Sequence, residues 1–245
     1  SGDYTFTDET TDLMFLLGQP ALKAATVQEE DMPGAGGTFL ALGHTISTTD
    51  PFLIAGGGAM ARDSSAYGNS SGRPDASLTT DANSANGGSG QNTGGTSGGG
   101  GIVGCGYGAA GFYGNGNQTA FGGAVSTSTP SCVGHETTYT YRTSRPTTKV
   151  NSGAFRNGGQ GASGYETGTT FNTITQGGFG GGAGSGNNGG GGGGGFSGGG
   201  SSYAGDDNLT GGGGGSFQAS GFTNTNNSLL AANTLRYGKL TIVSA

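Results

Sequence analysis

Two histidines are the residues of this sequence best suited to acid–base chemistry, and neither lies in a recognisable motif. His44 precedes Asp50 by a few residues, and His135 lies in a Ser- and Thr-rich stretch. Hydrolytic catalysis requires a nucleophile, a base and an orienting group that the fold holds together. No spacing in the sequence fixes all three groups. We therefore expect both histidines to be ordinary surface residues and predict that the chain is not an enzyme.

Glycine patterns of the GxGxxG type recur along the chain, for example around Gly104, Gly106 and Gly108. In nucleotide-binding proteins such glycines let the backbone approach phosphate groups. No Walker lysine follows any of the glycine loops here, and a chain with 60 glycines produces the pattern by chance. We predict no cofactor.

The short acidic sequence Asp206-Asp207-Asn208 lies between glycines and has the oxygen ligands that calcium prefers. Asp and Asn are also frequent in solvated turns, because their side chains bond to the nearby backbone. The turn is the more frequent use of such residues. We therefore predict no metal site.

Cys105 and Cys132 are the only cysteines, which is too few for a structural zinc site. They are also too far apart for a CxxC redox motif. A single disulfide is the preferred interpretation, and it would contribute roughly 3 kcal/mol in the chain-entropy model. Two free buried thiols are the alternative.

Four asparagines begin N-x-S/T sequences and would accept glycans in a secreted protein. They are Asn69, Asn117, Asn208 and Asn226. A chain so rich in Ser and Thr gives a similar number by chance, so these sites carry little weight alone.

The net charge argues against a nucleic-acid partner, and the hydropathy pattern argues against membrane insertion. The net charge is −6 with a pI near 4.6, whereas binding to nucleic acid draws on clustered Lys and Arg. No stretch approaches the roughly 20 apolar residues that span a bilayer, so we expect no membrane insertion. The chain begins with Ser1 instead of Met, which we interpret as a processed or trimmed N-terminus, with any signal peptide already removed.

The glycine content predicts either disorder or an unusual ordered framework. Disordered chains combine low hydrophobicity with high net charge, but only 10% of these residues are charged. Extended left-handed helices with three residues per turn point all their backbone groups outward. Glycine lets such helices approach closely enough to pair those groups. The sequence therefore favours ordered glycine segments held by backbone hydrogen bonds.

Apolar runs predict strands at both ends of the chain. Residues 4–7 alternate as a half-buried strand does, and residues 13–17 form a continuous apolar run of buried-strand length. Further strands are predicted at residues 38–42 and 52–55, and residues 240–243 alternate as a closing strand. We expect the glycine segments to leave a β-sheet and return to it as long insertions.

Glycine blocks with apolar neighbours follow one another in a specific order that ends in a strand-like segment. In chain order they are Phe52–Gly58, Gly98–Gly101, Gly177–Gly182, Gly189–Gly200, Gly211–Phe217 and Tyr237–Ile242. This order resembles the glycine-rich domain in the extracellular regions of anaplastic lymphoma kinase and leukocyte tyrosine kinase, which has relatives in microbial secreted proteins. The resemblance covers about residues 37–243.

This resemblance implies a mainly β fold, an antiparallel β-sandwich of the tumour-necrosis-factor type carrying packed polyglycine-II helices and little α-helix. It also implies an extracellular, secreted or cell-surface location. Residues 1–36 depart from the family, so we divide the chain into an N-terminal segment at 1–36, interpreted as a strand-exchange or assembly arm, and a glycine-rich domain at 37–245.

The leading functional hypothesis is a structural or adhesive protein that associates with itself into a filament or surface coat. Strand addition would use the apolar run Leu13, Met14, Phe15, Leu16 and Leu17. One alternative is a receptor-like module that binds an extracellular protein ligand. Others are an ice-binding protein, a phage adhesin and an unfolded nucleoporin-like FG chain.

Overall fold

The fold is taken from a computed structural model of the chain. The structure describes residues 3–6, 12–21, 33–59, 75–85, 93–101, 108–116, 152–162, 176–184, 190–202, 210–223 and 225, and the structural statements below concern these residues.

A four-stranded antiparallel sheet is the conventional part of the fold. Its strands, in their order across the sheet, are β1 (Leu13–Leu16), β2 (Thr38–Leu42), β3 (Asp50–Ala55) and β4 (Phe217–Gln218). The strands predicted around residues 13–17, 38–42 and 52–55 are confirmed, because each apolar run has the length and composition that a pleated, half-buried surface favours. β4 was not predicted, since two residues are too short to show a period.

One row of apolar side chains crosses the whole sheet and begins the hydrophobic core. Leu16 pairs with Phe39, Phe39 pairs with Ile54, and Ile54 pairs with Phe217. Antiparallel pairing places directly opposed side chains on the same face, so these four residues form a continuous apolar ridge. The main hydrophobic cluster therefore lies on one face of the sheet.

Aromatic side chains from the glycine-rich segments cover this ridge. Phe112, Phe155 and Phe196 are buried in the same hydrophobic cluster as Leu16, Phe39 and Ile54. The ring of Phe155 stacks on Phe39 and on Phe112 with centroids 5.0 and 4.9 Å apart, and Phe196 stacks on Phe217 at 4.7 Å. These phenylalanines fix the glycine-rich part of the chain on the sheet.

Glycine-rich sequence runs directly into three of the four strands. Gly36 and Gly37 precede β2, Gly56–Gly58 follow β3, and Gly211–Gly215 precede β4. The glycine segments therefore do leave the sheet and return to it.

Backbone hydrogen bonds between the glycine segments repeat every three residues. The N–H of Gly34 donates to Ala183 and that of Gly37 to Gly180, which is an antiparallel pairing. A β-ladder repeats every two residues, so this pairing is of a different kind. Two further antiparallel sets have the same step: Ala109 donates to Gly199 and Phe112 to Phe196 in one, and Gly212 donates to Gly200 and Gly215 to Ser197 in the other. In a parallel set, Gly193 donates to Gly212 and Phe196 to Gly215.

Helix is scarce in the described ranges, where the helical elements are the two 3-10 turns Ile46–Thr48 and Phe155–Asn157. The prediction of a mainly β fold with little α-helix is confirmed at this level. Within the same ranges, none of the helices has the length and apolar character needed to cross a bilayer.

The N-terminal residues join the sheet through aromatic contacts instead of a strand. Asp3 makes an isolated antiparallel bridge with Thr223, and the strand predicted at residues 4–7 does not form over the described residues 3–6. Tyr4 instead packs edge-on against buried Phe52 with centroids 4.7 Å apart, and Phe6 and Phe222 complete the cluster. Aromatic packing replaces the ladder because the alternating rings of Tyr4 and Phe6 meet apolar partners.

Candidate functional site

In the described part of the chain, His44 is not part of an arrangement of nucleophile, base and orienting group. His44 Nδ1 lies 2.8 Å from Asp12 Oδ2, and both side chains are largely exposed. Asp50 instead lies 3.6 Å from Arg156. His44 and Asp50 therefore have different partners, and among the described contacts the ring of His44 meets no hydroxyl or thiol group. His44 is a surface residue, as expected.

Several predicted sites lie outside the described residues. They are the cysteines Cys105 and Cys132, the sequon asparagines Asn69, Asn117, Asn208 and Asn226, the acidic turn Asp206–Asn208, the histidine His135 and the closing strand at 240–243. Within the described ranges, no group of three or more His, Cys, Asp or Glu side chains is placed to hold a metal ion.

The glycine segments approach so closely that a side chain would overlap a neighbouring backbone. A Cβ on Gly199 would overlap the carbonyl oxygen of Gly212, and one on Gly193 would overlap that of Gly57. Gly99 differs, since its nearest neighbour would be the Thr96 oxygen at 3.1 Å. Glycine is therefore required inside the framework for packing, while turns at its margin have more room.

Small hydroxyl side chains take the place of carbonyl acceptors where the glycine runs are interrupted. The N–H groups of Gly190 and Gly192 donate to the hydroxyls of Ser202 and Ser201, and both serines are buried. Thr210 is an exception, because its buried Oγ1 has no hydrogen-bond partner in the described structure. Serine fits because a buried N–H without an acceptor costs about 1–3 kcal/mol.

Arg156 links the glycine-rich region to the loop before β3. Its Nε donates to the carbonyl oxygen of Thr49 at 3.0 Å, and its guanidinium lies 4.6 Å from the ring centroid of Tyr113. No sequence pattern indicated this contact, because an isolated Arg after Phe155 has no periodic context. The contact positions the sheet and the framework relative to one another.

β1 lies at the edge of the described four-stranded sheet and exposes a row of apolar side chains. Phe15 is 65% exposed, and Leu13 and Leu17 are 36% and 41% exposed. Leu16 is buried and Met14 partly buried on the opposite face. The expectation of a buried strand from this continuous run is therefore wrong for one face, because only the other face has the core packed against it.

The backbone of β1 also directs N–H and C=O groups toward the outer edge of the described sheet. The N–H of Gly43 donates to the oxygen of Asp12, so Asp12 and, by alternation, Met14 and Leu16 direct their backbone groups toward β2. Leu13 and Phe15 direct theirs away from β2, and among the described strands only β2 pairs with β1. A strand edge with outward-facing backbone groups and exposed apolar side chains is a template for pairing with another strand.

Comparison with known proteins adds no family. No protein-family model matches the chain, and no curated protein is significantly similar to it.

Proposed function

We propose that this chain is an extracellular structural or adhesive protein that associates with itself to build a filament or surface coat. The proposal treats the glycine-rich region as a rigid framework and the edge of β1 as the assembly surface. It assigns the protein no catalytic role.

The same proposal includes the finer architecture, in which the glycine segments are packed polyglycine-II helices and the sheet is one layer of a tumour-necrosis-factor-like sandwich. The three-residue step of the hydrogen bonds supports the helices, since polyproline-II-type helices have three residues per turn. Neighbouring residues also bond in different directions: Gly193 donates to Gly212, and Gly194 donates to Ala35. The sandwich rests on the family resemblance alone.

The extracellular location rests on the resemblance to secreted glycine-rich domains. The sequon asparagines are compatible with it. Detection of glycans on the protein from its natural source would support this part of the proposal, and recovery of the protein from the cytoplasm alone would contradict it.

The observation that carries the proposal is the exposed apolar row on β1. Natural edge strands are usually protected by charged residues, proline or a covering element. Leu13, Phe15 and Leu17 have none of these protections within the described structure, and all three are substantially exposed. A surface of this kind is typical of an interaction site.

The test is the size of the purified full chain, measured by light scattering over a wide concentration range and by electron microscopy. We expect particles larger than the 23.6 kDa monomer. Phe15→Lys places a charge on the edge and should weaken association at least tenfold. Leu78→Lys is the matched control, because Leu78 is also exposed (51%) but lies outside the sheet.

Two results would contradict the proposal. One is a chain that stays monomeric up to the highest accessible concentration, which would favour a module that binds a different protein. The other is association that Phe15→Lys and Leu78→Lys leave equally unchanged, because the assembly surface would then lie elsewhere.

A further inference from the structure

We infer that the strand added to β1 is β1 of a second copy, paired antiparallel about a two-fold axis that passes through Phe15. This inference rests on the proposed self-association and specifies its partner and geometry. In this arrangement Phe15 opposes Phe15 of the second copy, and Leu13 opposes Leu17.

The first requirement for this pairing is that backbone groups of β1 face outward, and β1 meets it. Leu13 and Phe15 direct their N–H and C=O groups outward, as shown by the pairing of the alternate residues with β2. In an antiparallel ladder, residues with outward groups face one another as hydrogen-bonded pairs. Centring the axis on Phe15 brings outward-facing residues of the two copies into register, whereas a shift by one residue does not.

The second requirement is that apolar side chains face one another across the contact, and the side chains of residues 13–17 meet it. Leu13 and Phe15 in β1 and Leu17 directly after it have the same parity in the sequence, and all three side chains are exposed. Two-fold pairing would place Phe15 beside its own copy, with a leucine pair on each side. Cross-strand aromatic and aliphatic pairs stabilise a sheet, and the six side chains would shield one another from water.

Charge is compatible with this register. Residues 13–17 contain no charged side chain. The nearest carboxylate, Asp12, would oppose Gly18 of the second copy instead of the other Asp12, and it already has His44 as its partner at 2.8 Å. The two carboxylates therefore lie at opposite ends of the joined strands, where they do not repel one another strongly.

This geometry makes a specific statement about assembly. A two-fold contact is closed, so it produces a dimer with a continuous eight-stranded sheet and requires a second contact to form a filament. The opposite edge of the sheet, β4, has only two residues and offers little for strand addition. The dimer through β1 would be the building block.

Cysteine cross-linking of the full chain tests the register. Directly opposed Cα atoms in a hydrogen-bonded antiparallel pair are about 5.5 Å apart, a distance that a disulfide spans. Under mild oxidation Phe15→Cys should form a reducible dimer, and peptide mass spectrometry should show the linkage between the two substituted positions. Leu13→Cys and Leu17→Cys should link when mixed but not alone.

Leu78→Cys serves as the control for collisional cross-linking at an equally exposed position. If Phe15→Cys links no better than Leu78→Cys while the wild-type chain still associates, the β1 pairing is wrong but self-association stands. If Leu13→Cys links to itself, the strands are parallel and the two-fold antiparallel arrangement is wrong. If the wild-type chain is monomeric and nothing links, both proposals fail.

Discussion

The sheet and the glycine framework are stabilised in different ways within one chain. In the sheet, the large side chains of Leu16, Phe39 and Ile54 are buried and that of Phe217 is partly buried, and backbone pairing accompanies this burial. In the framework, segments such as Gly191–Gly195 have no side chains, and backbone pairing with close approach provides the contacts. The comparison teaches that a chain poor in apolar residues can still build a buried interior when its backbones pack directly on one another.

The junction between the two regions uses both principles. Phe112 and Phe196 lie within glycine-rich sequence, yet their rings belong to the core of the sheet. The N–H of Phe112 also donates to the oxygen of Phe196, so the same residues continue the backbone pairing of the framework. Removing a buried aromatic ring and disturbing the backbone packing should therefore have separable effects on stability.

The largest expected effect concerns amide hydrogen exchange. Gly193 and Gly194 donate to carbonyl groups inside the framework, so their amides should exchange at least on the order of 1,000-fold more slowly than in an unfolded chain. We expect protection comparable to that of Leu40 in β2, measured by NMR or mass spectrometry. Exchange at the random-coil rate would show that the glycine segments are not an ordered framework.

Removing an aromatic anchor should be the most damaging single truncation. Phe112 is fully buried, so Phe112→Ala should lower the free energy of unfolding by about 3–5 kcal/mol. Phe179→Ala is the control, because that ring also lies among glycines but is 41% exposed. Denaturant titration of both variants would check this, and equal losses would contradict an anchoring role specific to Phe112.

Adding one methyl group should test the framework by itself. Gly199→Ala forces a Cβ against the rigid carbonyl of Gly212, and we expect a loss of about 3 kcal/mol. Gly99→Ala should cost less, about 1 kcal/mol, because its Cβ would lie 3.1 Å from the Thr96 oxygen, a tight contact that a small shift relieves. Thermal melting of the two variants compares them directly, and similar melting temperatures would argue against direct backbone packing at Gly199.

The smallest expected effect distinguishes two buried hydroxyl groups. Ser202 accepts a bond from Gly190, so Ser202→Ala should cost about 1–2 kcal/mol. Thr210→Val removes a buried hydroxyl that has no partner in the described structure, so it should be neutral or stabilising by up to about 1 kcal/mol. A loss of stability in Thr210→Val would show that this hydroxyl group makes a bond.

The sequence determined three of the four described strands and the general character of the fold. Apolar runs of strand length located β1, β2 and β3, because a strand of four to six residues leaves a local signature of apolar and β-branched residues. The scarcity of ordinary core residues also indicated that backbone contacts would stabilise the glycine segments. Neither inference required knowledge of which segments are neighbours.

Only the tertiary structure decided which segments of the chain pair with one another. The pairing of Gly193 with Gly212 or of Gly34 with Ala183 has no sequence signal, because glycines are identical and carry no side chain that selects a neighbour. The edge position of β1 was equally hidden, since a continuous apolar run does not show which of its faces will be covered. Local sequence records what a segment is able to form, whereas exposure and pairing depend on everything packed around it.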